Sequence, residues 1–460
     1  MRKKSLRGGS STKRMLYLLV VLVVVGAPAA ALRALCVGHS CDENEDPSSE
    51  VPFCSLPADV REPIAAGFEG ELHRSPDILS VTEDIVIMGG TAFPEEARAP
   101  QWPSLQPISR RVPLAFTGAG IDPEADVPDG TTLDAVAPTL SEVMGLRRPN
   151  PQVRSGTAIE GVASGQPVRL VVQVVMKATG SNDLEEAAAA WPNLKELVDE
   201  GPGTLNADAG SLPLDPAAVM TTIGTGGLPR QHGIVGTLVR NNEGDVVRAW
   251  GPRSPIHIIA TLSDDLDEQQ NQNALIGLVR TDVSDGGLIG GNWYVDVDKD
   301  AIEKESRDPA KSVEGLLDSG FGDDDIPDVI AVALEGSIED MDERLGQIED
   351  ALQQAGDSWA LAVTATGGAV LPRDMELSGQ EVQRRLEDGW ENRPSVIEAT
   401  TPGGLYLNQE ALVDSEITED DVLKLMATFN PWDDDGRQGE ESPLMADVFP
   451  AIAVSFERYC

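Results

Sequence analysis

Short apolar runs alternate with amphipathic segments and Gly/Pro turns along most of the chain from Asp77 onward. The strongest run, residues 168–176, is apolar at nearly every position, as expected of a strand buried on both faces. Shorter runs at 85–88, 112–116, 328–334 and 359–364 predict further strands. Apolar strands separated by helical segments are typical of βα units, so the pattern predicts an α/β fold with a mostly parallel sheet.

Helical patterns fall between these runs. Residues 183–190 form one predicted helix, with Asn182 as its N-cap, and residues 192–200 form another, which starts at Pro192 and stops at Gly201. A third predicted helix, residues 342–354, follows the strand at 328–334. We therefore predict one α/β domain over residues 76–370 and an appended C-terminal subdomain over 371–460.

The N-terminal segment has the pattern of a targeting sequence. Residues 15–32 are uncharged and apolar, and they follow a strongly basic stretch. This arrangement predicts either a cleaved signal peptide or a single membrane anchor over residues 1–32. In both cases the protein is expected to be exported, to the extracellular space or the cell envelope, with membrane contact through this segment if it is uncleaved. Residues 33–75 are polar and Pro-rich, and they are predicted to be a linker.

The four cysteines lie near the two ends of the chain, at Cys36, Cys41, Cys54 and Cys460. Their spacing matches no metal site, and an even number in an exported protein favours disulfides. We expect Cys460 to pair with one of the other three. If the protein is not exported, all four are expected to be free thiols.

The chain is strongly acidic, with 77 Asp and Glu against 35 Lys and Arg and a formal net charge of -42. A protein with this charge repels polyanions, so nucleic acid is excluded as a partner. The bias itself does not indicate a reaction.

Residues 221–235 join a hydroxyl-rich turn to a Pro-Arg-Gln-His-Gly turn. Together with the Pro-Asn-Leu sequence at 192–194 and the strand that follows Pro327, this segment resembles the alkaline phosphatase superfamily, most closely its type I phosphodiesterase/nucleotide pyrophosphatase branch. The resemblance covers roughly residues 80–370. It implies a three-layer α/β fold with a mostly parallel central sheet.

One part of the resemblance is out of order. Residues 112–121 and 133–145 resemble the strand and helix that come last in that superfamily, but here they precede its first strand. The resemblance therefore implies a circular permutation, which chains tolerate when their termini lie close together. It also predicts that the strand at 112–116 lies in the same sheet as residues 168–176.

The superfamily uses two metal ions, held by Asp and His side chains at strand ends, and a Ser or Thr nucleophile. The matching positions of this chain carry other residues. Lys177 stands where the first carboxylate ligand belongs, and Pro216 stands at the nucleophile position. Glu335 has no following histidine, and Thr366 and Gly367 occupy the Asp-His pair. The resemblance thus implies a degenerate site with no metal ion or other cofactor.

Two functions remain open from the sequence. The first is a non-catalytic binding or cell-envelope interaction protein, whose partner is an anionic small molecule or an envelope component. Lys177, Thr221 and Thr222 are then the candidate anion-binding residues, although Lys177 could instead reach solvent or pair with an acid such as Asp183. The alternative is a metal-dependent hydrolase of phosphate or sulfate esters with a divergent ligand set, taken from Asp183, Asp208, Asp215, Glu335, Asp340 and Asp342.

Overall fold

The computed structural model describes residues 52–69, 72–83, 102–105, 110–290, 301–368, 379–389, 395–427 and 445–460. The strands in these ranges are β1 (Ile78–Thr82), β2 (Arg111–Gly118), β3 (Leu170–Met176), β4 (Gly203–Asp208), β5 (Leu238–Arg240), β6 (Val246–Arg248), β7 (Ile276–Arg280), β8 (Ala301–Glu305), β9 (Asp328–Leu334), β10 (Trp359–Ala365), β11 (Ile397–Thr401), β12 (Gly404–Leu407) and β13 (Met445–Pro450).

The α-helices of the same ranges are α1 (Ala58–Gly67), α2 (Val136–Val143), α3 (Ser181–Glu186), α4 (Pro192–Glu200), α5 (Pro216–Thr225), α6 (Pro229–His232), α7 (Leu262–Gln269), α8 (Pro309–Leu317), α9 (Ile338–Ala355), α10 (Gly379–Asp388), α11 (Gln409–Ser415) and α12 (Glu419–Met426). Short 3-10 helices add Pro52–Ser55, Leu133–Ala135, Pro151–Val153, Val283–Leu288 and Ala451–Tyr459.

A seven-stranded sheet forms the centre, in the order β4-β2-β10-β3-β9-β7-β8. The five strands from β10 to β8 run parallel to one another, whereas β2 is antiparallel to both of its neighbours. All seven residues of β3 are buried, as expected for a central strand covered on both faces.

Helices cover both faces of this sheet. On one face, Val171 and Val175 of β3 belong to a core that includes residues of α2, α5 and α7. On the other face, Val172 and Val174 belong to a second core with residues of α4, α8 and α9. The three-layer α/β class with a mostly parallel sheet is therefore confirmed.

A second sheet is antiparallel and has the order β11-β12-β1-β13. Its strand β1 comes from the start of the predicted α/β domain, and the other three strands come from the C-terminal residues. Leu79 and Val81 of β1 pack in the first core, while Ile78 packs in a further core with residues of α10 and α12. The C-terminal strands thus share one sheet with residues near position 80.

The sequence predictions for the central strands agree closely with the structure, because these strands are the most uniformly apolar parts of the chain. The runs at 112–116, 168–176, 328–334 and 359–364 appear as β2, β3, β9 and β10. The strand β2 lies in the same sheet as β3, as predicted. Residues 85–88 lie outside the described residues, and the circular permutation stays a prediction.

Three predictions were wrong in detail. Residues 58–67 of the predicted linker form α1, whose Val60 and Ile64 are buried in the core. The helix predicted at 183–190 is α3, which begins at Ser181 and ends at Glu186. Asn182 is not its cap, because the Asp183 carboxylate accepts a hydrogen bond from the Gly180 amide, one residue before the helix. The helix predicted from 342 begins at Ile338, because Ser337 caps it.

A disulfide joins Cys54 and Cys460, with the two Cα atoms 5.1 Å apart. It links the 3-10 turn before α1 to the last residue of the chain, and Cys36 and Cys41 lie outside the described residues. The rings of Phe53 and Phe449 pack beside this link, with centroids 5.3 Å apart. Over the ranges that the structure covers, which exclude residues 15–32, no helix is long and apolar enough to cross a membrane.

Candidate functional site

Three neighbouring parallel strands of the central sheet, β10, β3 and β9, end at the same edge. The residues that directly follow them are Thr366, Lys177 and Glu335. Active sites of α/β proteins form at this edge, where loops after several strands meet. The structure therefore brings together three of the positions that the resemblance marks as degenerate.

Lys177 is at the centre of this edge, and its side chain is only 11% exposed. Its ammonium nitrogen lies 2.9 Å from Thr281 Oγ1, 3.2 Å from Asp285 Oδ1 and 3.4 Å from Glu335 Oε2. Burial alone would lower the pKa of Lys177, but the two carboxylates outweigh burial and raise it. Lys177 thus donates hydrogen bonds to Thr281 and Glu335 and forms an ion pair with Asp285.

Asp285 is fully buried and is held by its own turn. Its Oδ2 accepts hydrogen bonds from the amides of Thr281 and Asp282, at 2.8 and 2.9 Å, and from the Thr281 hydroxyl at 3.1 Å. Asp285 is not among the residues predicted from the sequence, because the strand β7 that precedes it was not predicted. The sequence did contain a signal, because the run at 276–279 is followed, after two residues, by Asp282 and Asp285.

Thr366 orients the backbone next to Lys177. Its Oγ1 accepts a hydrogen bond of 2.8 Å from the amide of Ala178, a residue in the left-handed region at φ 47°. The Gly367 amide donates to Thr179 O at 3.1 Å. A left-handed alanine is uncommon and needs support from its surroundings. At this edge the Thr-Gly pair thus supports the turn that carries Lys177.

Pro216 is the first residue of α5, a position where proline is favoured because its missing N–H is not needed. The preceding residue, Asp215, caps the helix: its Oδ1 accepts from the Ala217 amide at 3.0 Å and from the Thr237 hydroxyl at 2.8 Å. Burial raises the pKa of Asp215, although these hydrogen bonds oppose the shift. None of these hydrogen bonds reaches the Lys177 cluster.

Thr221 and Thr222 are buried inside α5, and their role in binding an anion together with Lys177 stays a prediction. Thr221 donates its hydroxyl to Ala217 O at 2.6 Å and accepts from the Trp250 indole at 3.2 Å. Thr222 Oγ1 lies 3.1 Å from His232 Nε2. A hydroxyl inside a helix that bonds to the preceding turn or to a buried ring has little left to offer a ligand.

His232 cannot act as a base for Thr222. Its Nδ1 accepts a hydrogen bond of 3.2 Å from the Ile234 amide, so the ring hydrogen is on Nε2 and is donated to Thr222. Burial lowers the pKa of His232 well below its usual value, and nearby His257 and Arg74 lower it further. This pair therefore has the wrong tautomer for activating a nucleophile.

The acids of the alternative ligand set are spread over the molecule. Asp183 and Asp215 cap helices, and Asp340 accepts from Ser337 at the start of α9. Asp208 pairs with Arg110 at 3.2 Å. Asp342 accepts from the amides of Asn193 and Leu194 at the start of α4, and the sixth acid, Glu335, pairs with Lys177. Among the residues that the structure describes, no three acidic, histidine or cysteine side chains are grouped so that they could hold a metal ion.

A second buried ionic cluster lies at the C-terminal end of α5. Arg148 and Arg154 both bond to Asp265 Oδ2, at 2.7 and 3.0 Å, and both donate to the carbonyls of Thr225 and Ala260. Burial and the neighbouring Arg154 lower the pKa of Arg148 to about 10. The two arginines make these contacts to side chains and carbonyls of the chain itself. The cluster therefore connects the loop at 146–156 to the C-terminus of α5.

Comparisons with known proteins add little at the level of sequence. No family model matches the chain, and no curated protein matches it. Among solved structures, it is similar to wild-type alkaline phosphatase PafA, with 17% identity, a TM-score of 0.44, and coverage of 57% of this chain and 76% of PafA. A quadruple mutant of PafA gives a TM-score of 0.41 with the same identity and coverage. Both TM-scores lie below 0.5, so no role of a residue is taken from this similarity.

Proposed function

We propose that this protein is an exported, non-catalytic relative of metal-dependent phosphoesterases that acts in binding at the cell envelope. The observation that carries the proposal is the position of the Lys177 ammonium group and the contacts that it makes. Its ammonium group fills the strand-end edge where the resemblance expects a metal ligand, and it is bonded to Thr281, Asp285 and Glu335.

Two physical reasons support the loss of catalysis. A buried ammonium repels a divalent cation, and here it also occupies the oxygens of two carboxylates that could otherwise have served as ligands. The nucleophile position holds Pro216, which has no hydroxyl, and the hydroxyl of nearby Thr222 accepts a hydrogen bond from His232 rather than donating one. Nucleophilic catalysis needs the hydroxyl to donate its hydrogen bond to the base.

Export is supported by the Cys54–Cys460 disulfide, because disulfides persist mainly in oxidising compartments. Of the two partner classes, we favour an envelope component. An anionic small molecule at Lys177 would have to displace Glu335 and would then lie beside the fully buried Asp285 carboxylate. A broader surface of the protein can engage an envelope component without opening this cluster.

Turnover by the full-length protein tests the proposal. Bis(p-nitrophenyl) phosphate and p-nitrophenyl sulfate are offered with added zinc or manganese, and wild type is compared with the Glu335→Gln variant prepared in parallel. We expect the rate of hydrolysis with either protein to equal the rate in the metal-containing buffer alone. Metal-dependent hydrolysis by wild type that is lost in Glu335→Gln would overturn the proposal and favour the divergent hydrolase.

A further inference from the structure

Acidic side chains are unevenly distributed along this chain. Although Asp and Glu together number 77 in 460 residues, residues 143–159, 216–242 and 246–263 contain none of them, and the same three stretches contain seven arginines. Burial explains this for the part of the second stretch that forms the buried helix α5. It does not explain the loops of the three stretches, because many of their residues are exposed.

Three of these loops lie side by side, at residues 146–156, 228–233 and 254–260. Hydrogen bonds join them, from the Ser155 amide to Gln231 Oε1 at 3.1 Å, from the Ile258 amide to His232 O at 2.9 Å and from Arg154 Nη2 to Ala260 O at 3.0 Å. No residue in the three loops is acidic. We call the exposed part of these loops the acid-free surface.

Aliphatic side chains of the acid-free surface are exposed to solvent. Ile256 is 54% exposed, Val153 is 42% exposed and Ile258 is 38% exposed. Exposure alternates along the loop at 254–260, because His257 and Ile259 are buried between and beside the two exposed isoleucines. Contact with an apolar partner would remove this aliphatic surface from water, which is favourable.

Two arginines of the acid-free surface are exposed as well. Neither Arg147 nor Arg230 forms an ion pair with an acidic side chain in the ranges that the structure describes. Arg148 and Arg154 differ from them, because both are buried and paired with Asp265. A free, exposed guanidinium group can donate two hydrogen bonds at once to a phosphate group.

We propose that the acid-free surface docks on a lipid bilayer that contains anionic phospholipids. Ile256, Ile258 and Val153 enter the boundary between headgroups and acyl chains, and Arg147 and Arg230 contact lipid phosphates. A bilayer presents negative charge and an apolar interior across one plane, so it matches both features of this surface and needs no groove. The inference rests on the proposed function, because it takes the membrane as the envelope component that is bound.

The net charge of -42 does not prevent such docking. At physiological ionic strength, exposed charges more than about 8 Å apart are largely screened from one another. The residues that face the bilayer therefore set the local interaction, and on the acid-free surface these residues are neutral or basic. An exposed aliphatic side chain among acids, such as Val413 between Glu410 and Asp414 on α11, is repelled instead.

Site-specific fluorescence of the full chain tests the proposal. The background is Cys36→Ser/Cys41→Ser, which keeps the Cys54–Cys460 disulfide, and one added cysteine carries a nitrobenzoxadiazole label, whose emission increases and shifts to shorter wavelength in an apolar environment. Ile256→Cys places the label on the acid-free surface, and Val413→Cys, at a side chain 79% exposed, is the matched control. The vesicles contain either phosphatidylcholine alone or equal amounts of phosphatidylcholine and phosphatidylglycerol.

We expect the label at position 256 to respond to the mixed vesicles, to respond less to phosphatidylcholine alone, and the label at 413 to respond to neither. If residues 15–32 insert into the vesicle, they bring both labels to it alike, so the difference between the two positions reports the acid-free surface. Arg230→Glu should weaken docking by about fivefold or more, because one basic residue near an anionic bilayer contributes about that factor. Arg384→Glu on α10, which changes the net charge equally, should leave the response at 256 unchanged.

Three results would overturn the proposal. These are an unchanged label at position 256 on the mixed vesicles, equal responses at positions 256 and 413, and equal effects of Arg230→Glu and Arg384→Glu. No hydrolysis is measured here, so a failure of this proposal is distinguishable from turnover that would overturn the proposed function.

Discussion

The ammonium nitrogen of Lys177 lies 3.2 Å from Oδ1 of Asp285, a carboxylate with no exposed side-chain surface. This ion pair joins the end of β3 to the 3-10 helix after β7, and it does so at the edge of the sheet where α/β enzymes place their catalytic groups. A buried ion pair at this place joins two neighbouring parts of the sheet edge. In the proposed function, it stands where the resemblance implies a metal ligand.

Replacing Lys177 by methionine should destabilise the protein by about 3–5 kcal/mol, because it leaves Asp285 buried without its cation. The matched control is Lys195→Met, since Lys195 forms an exposed pair with Asp199 on α4 and should cost under about 1 kcal/mol. Urea unfolding of the two variants and wild type measures the difference. Equal losses in both variants would show that the Lys177 pair is no more important than a surface pair.

Arg148→Met should also be strongly destabilising, by roughly 3 kcal/mol or more, because it removes a buried partner of Asp265 and leaves carbonyls at the end of α5 with fewer donors. Arg147 is exposed and adjacent in sequence, so Arg147→Met should change stability by less than about 0.5 kcal/mol. Denaturant midpoints of the two variants provide the comparison. A small effect of Arg148→Met would mean that Arg154 alone satisfies Asp265.

Acid should weaken the protein through His232. The folded state holds this ring neutral, whereas the unfolded chain takes up a proton near the ordinary histidine value of 6.5. The unfolded state therefore binds more protons as pH falls below that value, and stability decreases by up to about 1.4 kcal/mol per pH unit. Arg74 and His257 face the ring and oppose its protonation.

The test compares the loss of stability between about pH 7.5 and about pH 5.5 for wild type, His232→Gln and the exposed control His73→Gln. Wild type and His73→Gln should lose the same amount, and His232→Gln should lose less. If all three proteins lose stability equally, His232 is not the group responsible.

Removing the Cys54–Cys460 disulfide should lower stability by about 2–5 kcal/mol, because it closes a very long loop of the unfolded chain, at a sequence separation of 406. The Cys54→Ser/Cys460→Ser double variant should unfold at a lower urea concentration than oxidised wild type, and reductant should shift wild type but not the variant. Identical midpoints before and after reduction would contradict the presence of this disulfide in solution.

The sequence predicted the central sheet well and the site only in part, for physical reasons. Strands such as β3 are apolar along their whole length, so their burial is visible without any partner. Lys177, Glu335 and Thr366 were located because each directly follows such a strand. Their partners Thr281 and Asp285 follow β7, which is only five residues long and lies 100 residues away from β3 in the chain, so that no local pattern connects them.

The same limit applies to the predicted linker and to the anion site. The helix α1 contains Pro63 and has a weak amphipathic pattern, and its burial depends on contacts with the C-terminal residues. Thr221 and Thr222 looked available because hydroxyls are common in ligand turns, but the turn predicted around them is the last part of α5. Helix hydrogen bonding then directs Thr221 to Ala217.

Metal content of the purified full-length protein tests the central claim most directly. After incubation with zinc and manganese and removal of excess by gel filtration, inductively coupled plasma mass spectrometry should find far less than one metal ion per chain, in wild type and in Glu335→Gln alike. The physical reason is the ammonium of Lys177, which is bonded to the two carboxylates of that edge. Two tightly held metal ions per wild-type chain, reduced in Glu335→Gln, would contradict the account.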